Sequence, residues 1–484
     1  MKNRKFISII ISFILLIGTI AVPSAFATDN DVPDGFTGIY NNEDLNAVRN
    51  NLDGKFILMN DIDTASVTNW VPIGSDTAPF TGTFNGNGYS VKNLTVNIKS
   101  EDSDTSNGYS VGLFGTVEDA VIANVDMENV NISINYPYEI GYPVGAVAGV
   151  SSNSKILNCS SNGYIEAVLG GGFDMGGIVG KLYGKGGSLV ENCSSSANLK
   201  ATGKDEGIFD FPMGYSTIVG GIVGSASYNN TVSKCFFEGT INIVPLHSAR
   251  AGGILGVASS NSSVINCGNI GVIEVNGFGY AGGICSISNS VINSYSTGSV
   301  TVTDETYTKI GCIAARAELE NGDSISNCYY TDSITTAISN IDDSELESVK
   351  SLTNEDALNK ASYKGFDFEN VWDIVPGKTP VLKSAETNIP DKITVSAGKI
   401  YALPFEVTYI ASNNEKIAKI ESDNAIKGVF EGNTSIEIIT ASGNFEVVEI
   451  SVIEEGGFIV SVVKKITAFF AAIFESLSEF FFKG

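Results

Sequence analysis

Few residues of this chain could do chemistry, and they are scattered. The chain has one histidine, His247, so metal motifs that need two imidazoles, such as H-E-x-x-H, are excluded. His247 lies in VPLHSAR, and a nucleophilic triad would also require a neighbouring acid and serine. Serine is so common in this chain that a serine near His247 would be weak evidence for a triad. We predict no catalytic residue, no metal and no cofactor.

Carboxylates occur mainly as close pairs in predicted loops and turns. Solvated or turn-capping roles are the main interpretation of these pairs. A Ca²⁺ site is the alternative, and it would require six to eight oxygen ligands. The pairs are Asp61 with Asp63, Asp102 with Asp104, Asp205 with Glu206, and Asp342 with Asp343.

Five of the seven cysteines share one repeat position: Cys159, Cys193, Cys235, Cys267 and Cys328. Stacked coils would bring their Cα atoms about 4.8 Å apart, within the range that disulfides span. Cysteine also behaves as a small buried hydrophobe, and the total is odd. A stacked column of free thiols is therefore favoured, with disulfides and metal ligation as the alternatives.

Aromatic residues are concentrated in the predicted connections that lead into a recurring glycine-rich phrase. If coils stack in register, these connections emerge along one edge and could form an aromatic strip for a glycan or a partner protein. The alternative is that the rings only fix the loops to the flank of the solenoid. The candidate ligand-binding residues are Tyr136, Tyr138, Tyr142, Phe173, Phe209, Phe211, Tyr215, Phe278 and Tyr280.

The elements that position these residues come from an internal repeat. The phrases VGLFG (111–115), VGAVAG (144–149), MGGIVG (175–180), VGGIVG (219–224), AGGILG (251–256), AGGICS (281–286) and IGCIAA (310–315) recur about every 30 residues. A second phrase of the type I-x-N-C follows each one, and a third short strand comes next. Asn before the cysteine position suits a left-handed corner. The pattern predicts an all-β chain with three strands per coil, a right-handed parallel β-helix.

The repeat phrases resemble those of GLUG-repeat bacterial proteins. The resemblance also includes FILMNDID (56–63), PFTGTFNGNGYSVKNLTV (79–96) and the closing VWDIVPGKTPVLK (371–383). It implies an extracellular β-helix, often on the cell surface. Some relatives are zinc peptidases that cut immunoglobulin A, but their metal motif has no counterpart here.

A second unit follows a linker at residues 386–390. Short alternating strands between Gly, Asn and Asp turns predict a small β-sandwich. The segment IAKI before a turn and GNTSIEI after it resemble group 2 bacterial Ig-like domains. That resemblance implies a spacer or an adhesive unit.

The two ends of the chain have their own patterns. Residues 1–27 resemble a signal peptide, with a retained membrane anchor as the alternative. Residues 458–482 have the apolar spacing of an amphipathic helix, which could bind a protein, a second copy, a membrane surface or the body of the chain. The domains are thus 1–27, a β-helix with an N-terminal cap over 28–385, a sandwich over 386–455, and a helix over 456–484.

Composition limits the classes of partner that the protein could bind. The net charge of −25 makes nucleic acid an improbable partner. We predict a secreted or cell-surface protein that binds a glycan or a protein and is not an enzyme. The rival hypothesis is a polysaccharide-active enzyme on the same scaffold, and the two differ in whether three or more ionisable side chains converge in one cleft.

Overall fold

A computed structural model describes residues 32–99, 110–136, 143–170, 172–204, 216–304, 308–319, 323–331, 336–341, 346, 348–383, 389–440 and 443–454. Long parallel sheets dominate these residues, and the predicted parallel β-helix is confirmed. The predicted signal peptide and C-terminal helix lie outside the described residues. In the part of the chain that is described, no helix has the length and apolar character needed to cross a membrane.

Each central coil contains strands from four sheets. In one coil, Phe173–Gly176 belongs to sheet 1, Val179–Tyr183 to sheet 2, Leu189–Glu191 to sheet 3, and Ser194–Ser195 with Asn198–Gly203 to sheet 4. The prediction of three strands per coil was wrong, because the glycine phrase bends and supplies two strands instead of one. The bend needs glycine: a Cβ on Gly220 would lie 1.8 Å from the carbonyl oxygen of Val223.

The described strands of the β-helix fall into these four parallel sheets. Sheet 1 contains Phe173–Gly176, Ser216–Gly220, Ser248–Gly252, Gly279–Gly282 and Lys309–Gly311. Sheet 2 contains Phe114–Glu118, Ala148–Ser152, Val179–Tyr183, Val223–Ser227, Leu255–Ser259, Cys285–Ser288 and Ala314–Ala317. Sheet 3 contains Thr37–Ile39, Lys55–Leu58, Thr83–Asn85, Val121–Ala123, Lys155–Leu157, Leu189–Glu191, Thr231–Ser233, Ser263–Ile265, Ser290–Ile292 and Ile325–Ser326. Sheet 4 contains Ile62–Asp63, Ser90–Lys92, Thr95–Lys99, Asp126–Tyr136, Ser160–Leu169, Ser194–Ser195, Asn198–Gly203, Phe236–Phe237, Thr240–Val244, Gly268–Asn269, Val272–Val275, Tyr295–Ser296, Val300–Val302, Cys328–Thr331 and Val349–Leu352.

Asparagine forms the corner between sheets 3 and 4, as the sequence predicts. The φ angles are positive at all five predicted positions: Asn158 (51°), Asn192 (55°), Asn266 (57°), Asn293 (50°) and Asn327 (51°). Their side chains also bond between coils, since the Asn158 amide donates to Asn124 at 3.0 Å and that of Asn327 to Asn293 at 2.9 Å. Asn tolerates this left-handed backbone better than most residues.

Like residues stack inside the coils. The backbone N–H of Ile178 donates to Ile222, Ile222 to Ile254 and Ile254 to Ile284, each at 3.0 Å, and all four side chains are fully buried. The cysteines form a second column, because the residues that follow them pair in register from Ser160 through Tyr329. All seven cysteines are buried and have free thiols.

Helical structure is confined to short segments around the coils in the described part of the chain. An α-helix, Asn42–Ala47, follows the first strand and buries Leu45, and the side chain of Asn41 accepts the N–H of Asp44 at its start. Three short 3₁₀ segments are Val48–Asn50, Asp356–Leu358 and Lys360–Ser362. An antiparallel hairpin, Trp372–Asp373 with Val381–Leu382, closes this part of the chain.

The second unit consists of two small sheets. Sheet 5 contains Lys392–Ser396, Val407–Ser412, Gly432–Thr440 and Phe445–Ile453, and sheet 6 contains Ile400–Ala402, Ala418–Ser422 and Ala425–Gly428. An apolar core that includes Ile393, Ile426 and Ile438 joins the two sheets. Antiparallel pairing dominates, apart from the parallel pair of Lys392–Ser396 with Phe445–Ile453.

This unit packs against the side of the β-helix. Phe445 and Ile439 are buried with Ala123 and Leu157 of sheet 3 in one apolar cluster. The Lys155 ammonium lies 4.5 Å from the ring centroid of Tyr409. The unit is therefore docked along sheet 3.

Candidate functional site

A groove lies on the outer face of sheet 2 toward the start of the β-helix. Its floor contains side chains from consecutive coils that pair in register, Val150 beside Lys181 and Ser152 beside Tyr183. Leu182, between the two rows, points inward and is fully buried. We call this cavity of about 430 Å³ the sheet 2 groove; it is lined by Asp76, Pro79, Ser110, Thr116, Glu118, Pro143, Val150, Ser152, Lys181 and Tyr183.

One wall of the groove holds a fixed carboxylate. Asp76 accepts a hydrogen bond from the Thr116 hydroxyl at 2.6 Å and one from the Ser110 hydroxyl at 3.3 Å. Thr116 lies on sheet 2, while Ser110 precedes Val111, which forms a parallel bridge with Val144. The two hydroxyl groups orient this carboxylate against the first coils.

A second carboxylate lies beside the groove lysine. Asp174 Oδ2 is 3.8 Å from Lys181 Nζ, and the Asp174 side chain is only 15% exposed. Burial raises the pKa of Asp174, although the Lys181 ammonium and a hydrogen bond from Ser225 oppose that rise. Ionisation of Asp174 is therefore costly because the carboxyl is buried, and the nearby Lys181 ammonium reduces that cost.

Two tyrosines beside the groove project into solvent. Tyr183 and Tyr228 are 50% and 39% exposed, and their ring centroids lie 5.7 Å apart with an interplanar angle of 78°. Exposed aromatic faces next to hydroxyl and carboxylate groups suit the apolar face and the hydroxyls of a sugar ring. This geometry distinguishes the groove from the rest of sheet 2.

Sequence reasoning missed this tyrosine pair. The predicted aromatic residues lie in the connections before the glycine phrase, whereas Tyr183 and Tyr228 come after it. A signal was present: the residues lie three and four positions after Gly180 and Gly224, in neighbouring repeats. Stacking of those repeats brings the two rings together.

The predicted aromatic residues are only partly placed. Outside the described residues lie Tyr138, Tyr142, Phe209, Phe211 and Tyr215. Tyr136 ends the strand Asp126–Tyr136 and pairs with Leu169. Phe173 is 3% exposed and belongs to the core, so its ring is not accessible to a ligand.

Phe278 and Tyr280 lie together on the outer side of sheet 1. Their half-buried rings are 6.4 Å apart in an edge-on arrangement. Tyr280 stands in register between Arg250 and Lys309, and a small cavity of about 170 Å³ lies between Arg250 and the two rings. These residues form a separate aromatic and cationic patch on the same solenoid.

Among the described residues, the other candidate groups do not assemble into a site. Outside the described residues lie Asp102, Asp104, Asp205, Glu206, Asp342 and Asp343. His247 is exposed. Asp61 accepts the N–H of Ser90 in the next coil at 3.0 Å, and Asp63 accepts a hydrogen bond from the Asn93 amide at 2.8 Å; these bonds help to lower the pKa of each carboxyl. Among the described residues, no three His, Cys, Asp or Glu side chains come close enough to hold a metal ion.

Comparisons with known proteins found partial likenesses. No family model matches the chain. Halomucin of Haloquadratum walsbyi is 29% identical over 172 residues, which cover 32% of this chain and 2% of halomucin. The chain thus spans a very small part of that relative. The solved structure of an IgA1 protease aligns over 72% of this chain and 25% of its own, with a TM-score of 0.42 and 15% identity.

The prediction that the chain is not an enzyme is wrong as it stands. One solved structure that aligns with the chain, at a TM-score of 0.42, is that of an IgA1 protease. In addition, three ionisable residues, Asp76, Glu118 and Lys181, line one groove. The glycine phrase itself contains no such groups, and for that reason the sequence did not reveal their convergence.

Proposed function

We propose that this chain is a secreted or cell-surface protein that binds a glycan in the sheet 2 groove. The observation that carries the proposal is the exposed Tyr183–Tyr228 pair beside a cavity with hydroxyl and carboxylate groups. Stacking on the rings would provide affinity, and Asp76 and Glu118 would accept hydrogen bonds from sugar hydroxyls.

The charges of the groove favour a neutral glycan over an acidic one. Among the described residues that line the groove, Asp76 and Glu118 outnumber the one cation, Lys181, and Asp174 lies next to that cation. A polyanionic chain would therefore meet net repulsion. The predicted loop aromatics extend the proposal, because Tyr142 immediately precedes Pro143, which lines the groove. A protein ligand at this edge is the alternative.

Several features support a location outside the cell. Residues 1–27 resemble a signal peptide, and the repeats resemble GLUG-repeat surface proteins. The partial likeness to halomucin fits a secreted or surface protein. The apolar stripe of residues 458–482 would then bind a protein or a membrane surface, because so many large apolar side chains gain from burial.

A second candidate function is a polysaccharide-active enzyme. Asp76, Glu118 and Lys181 are residue types that can transfer protons, and they line the groove in which the glycan would lie. Hydrolysis or elimination of a bound polysaccharide would use a carboxyl and a carboxylate, or the lysine, in the acid and base roles.

Glycan-array binding of the mature chain tests the proposal. The double variant Tyr183→Ala, Tyr228→Ala should bind the selected glycan about tenfold more weakly or worse, since two stacking contacts are worth about 1–3 kcal/mol. The control variant Tyr164→Ala removes an exposed tyrosine of sheet 4 and should bind normally. All three proteins should melt alike.

The proposal fails if no glycan binds, or if the double variant binds as well as the natural chain. Assays for released reducing sugar and for unsaturated product, run on the glycan that binds, test the second candidate. Product from the natural chain but not from Asp76→Asn would favour the enzyme. Binding without product would favour recognition alone.

A further inference from the structure

Another cavity lies away from the sheet 2 groove, where three parts of the chain meet. It has a volume of about 490 Å³, within the range of ligand pockets. Its floor is the outer face of sheet 4 at Ser194, Phe236 and Glu238. Leu382 of the hairpin and Asn444 of the docked unit form the opposite sides. We call it the composite cleft.

Packing fixes the aromatic ring in the floor. Phe236 is paired in register between Ser194 and Gly268, and a Cβ on Gly268 would lie 2.8 Å from the Phe236 ring. The absence of a side chain at Gly268 therefore leaves the space that the Phe236 ring occupies. Tyr295, with its ring centroid 6.5 Å away, supports it from the side of the later coils.

The hairpin wall is also held firmly. Trp372 stacks on Phe366 with ring centroids 4.9 Å apart, and its ring lies 5.7 Å from that of Tyr295. The Tyr295 hydroxyl donates to the carbonyl of Pro380, which precedes the strand Val381–Leu382. The cleft thus exists before any ligand arrives, which reduces the ordering cost of binding.

The third wall depends on the docked unit. Asn444 precedes the buried Phe445, whose carbonyl accepts a hydrogen bond from the Asn124 amide at 3.0 Å. Gly443 approaches the corner of the coils so closely that a Cβ there would lie 2.6 Å from the Glu191 carboxylate. The close approach positions Asn444 at the rim of the cleft.

The polar groups of the cleft are nearly balanced in charge. Lys234 is paired with Glu191 at 3.1 Å, and Lys383 donates to the carbonyl of Glu369 at 2.6 Å. Ser194 and Glu238 are exposed, and neither side chain has a hydrogen-bond partner among the described residues. A hydroxyl and a carboxylate that flank an aromatic ring are therefore free to bind a ligand.

We infer that the composite cleft is a second binding site, for a neutral oligosaccharide. Phe236 would contact the apolar face of a sugar, Glu238 and Ser194 would bond its hydroxyls, and the amide of Asn444 would close the far side. Near-neutral lining disfavours both acidic and basic ligands. The inference does not depend on the sheet 2 groove, because no residue lines both cavities.

The experiment uses the full mature chain with Tyr183 and Tyr228 replaced by Ala, which weakens any signal from the groove; the cleft changes below then assign what remains. Calorimetry with cellotetraose, maltotetraose and chitotetraose as separate probes should detect binding of at least one. Two further changes are then added singly to this background: Ser194→Trp, which fills the exposed floor, and Glu238→Gln, which removes one charge-assisted acceptor. Each should weaken binding about tenfold or more.

The control change is Tyr164→Ala in the same background, which should leave binding unchanged. Melting curves verify that each variant is folded, and Glu238→Gln alters an exposed side chain with no described partner, so it keeps the test valid if Ser194→Trp destabilises the chain. The inference is overturned if none of the three tetrasaccharides binds, or if binding survives both cleft changes. Binding that disappears in the groove variant belongs to the sheet 2 groove, whereas binding that remains there and is lost on the cleft changes belongs to the composite cleft.

Discussion

A buried ion pair between the two units offers a sharp test of their docking. Lys55 of sheet 3 contacts the carboxylate of Glu437 in sheet 5, and Thr83 donates to the same carboxylate at 3.4 Å. The Glu437 side chain is 2% exposed, whereas that of Lys55 is 34% exposed. Replacing Lys55 by Met would leave a buried carboxylate without its cation.

The expected cost is about 3 kcal/mol. Removing one partner of a buried pair costs roughly 3–5 kcal/mol, because the remaining charge is desolvated without compensation. The lower end applies here, since water reaches part of Lys55 and screens the interaction. The double variant Lys55→Met, Glu437→Leu should recover most of the loss, as replacing both charges by apolar groups is often neutral.

Urea unfolding of the single and double variants measures the coupling between the two residues. A double-mutant cycle should give at least about 2 kcal/mol, and proteolytic cleavage within the linker at residues 386–390 should become faster in Lys55→Met. The matched control is Lys392→Met, which breaks an exposed pair with Glu449 at 3.4 Å and should cost under about 1 kcal/mol. A coupling below about 0.5 kcal/mol would refute docking through this pair.

Three further predictions concern the interior, the groove and the C-terminus. Ile222→Asp should cost about 3 kcal/mol or more in urea unfolding, because it buries an unpaired carboxylate, while Val244→Asp, at a 41% exposed position, should cost little. Because the pKa of Asp174 is raised, this residue's contribution to stability falls as the pH rises from about 4 through its folded pKa. Asp174→Asn should therefore gain stability relative to the natural chain over that rise, and a constant difference between about pH 4 and pH 7 would contradict the burial argument. The full mature chain should self-associate in light scattering or float with liposomes, and a chain that ends at Glu455 should do neither; identical behaviour would remove the proposed role of residues 458–482.

The solenoid could be predicted because its interior repeats. One buried Ile or Val per coil, one Cys position and one Asn corner recur at a near-constant spacing, and stacked coils are the simplest fold that satisfies all three. The positive φ of Asn158 and Asn192 and the Ile222–Ile254 pairing follow that prediction directly. The bend within the glycine phrase was not predicted, because glycine permits both an extended strand and a turn.

Docking of the second unit could not be predicted for a different reason. The contacts join residues that lie hundreds of positions apart, such as Asn124 with Phe445, and no local pattern encodes them. From the sequence alone, Phe445 and Ile439 could equally belong to the core of the β-sandwich. Only the three-dimensional arrangement shows that sheet 3 covers them.

The residues of the proposed sites were not predicted because they occupy outward-facing positions, where the sequence does not repeat from coil to coil. Along the outer row of sheet 2 the residue changes with every coil: Thr116, Val150, Lys181, Ser225, Val257, Ile287 and Arg316. The adjacent interior column, by contrast, contains Ile at five consecutive coils, from Ile178 to Ile313, because an interior residue must fit the coils above and below it. No such restriction applies outside, so a ligand can select a different side chain at each level. A glycan laid across several coils would meet a sequence of distinct groups about 4.8 Å apart, and its specificity would arise from positions with no repeat signal to find.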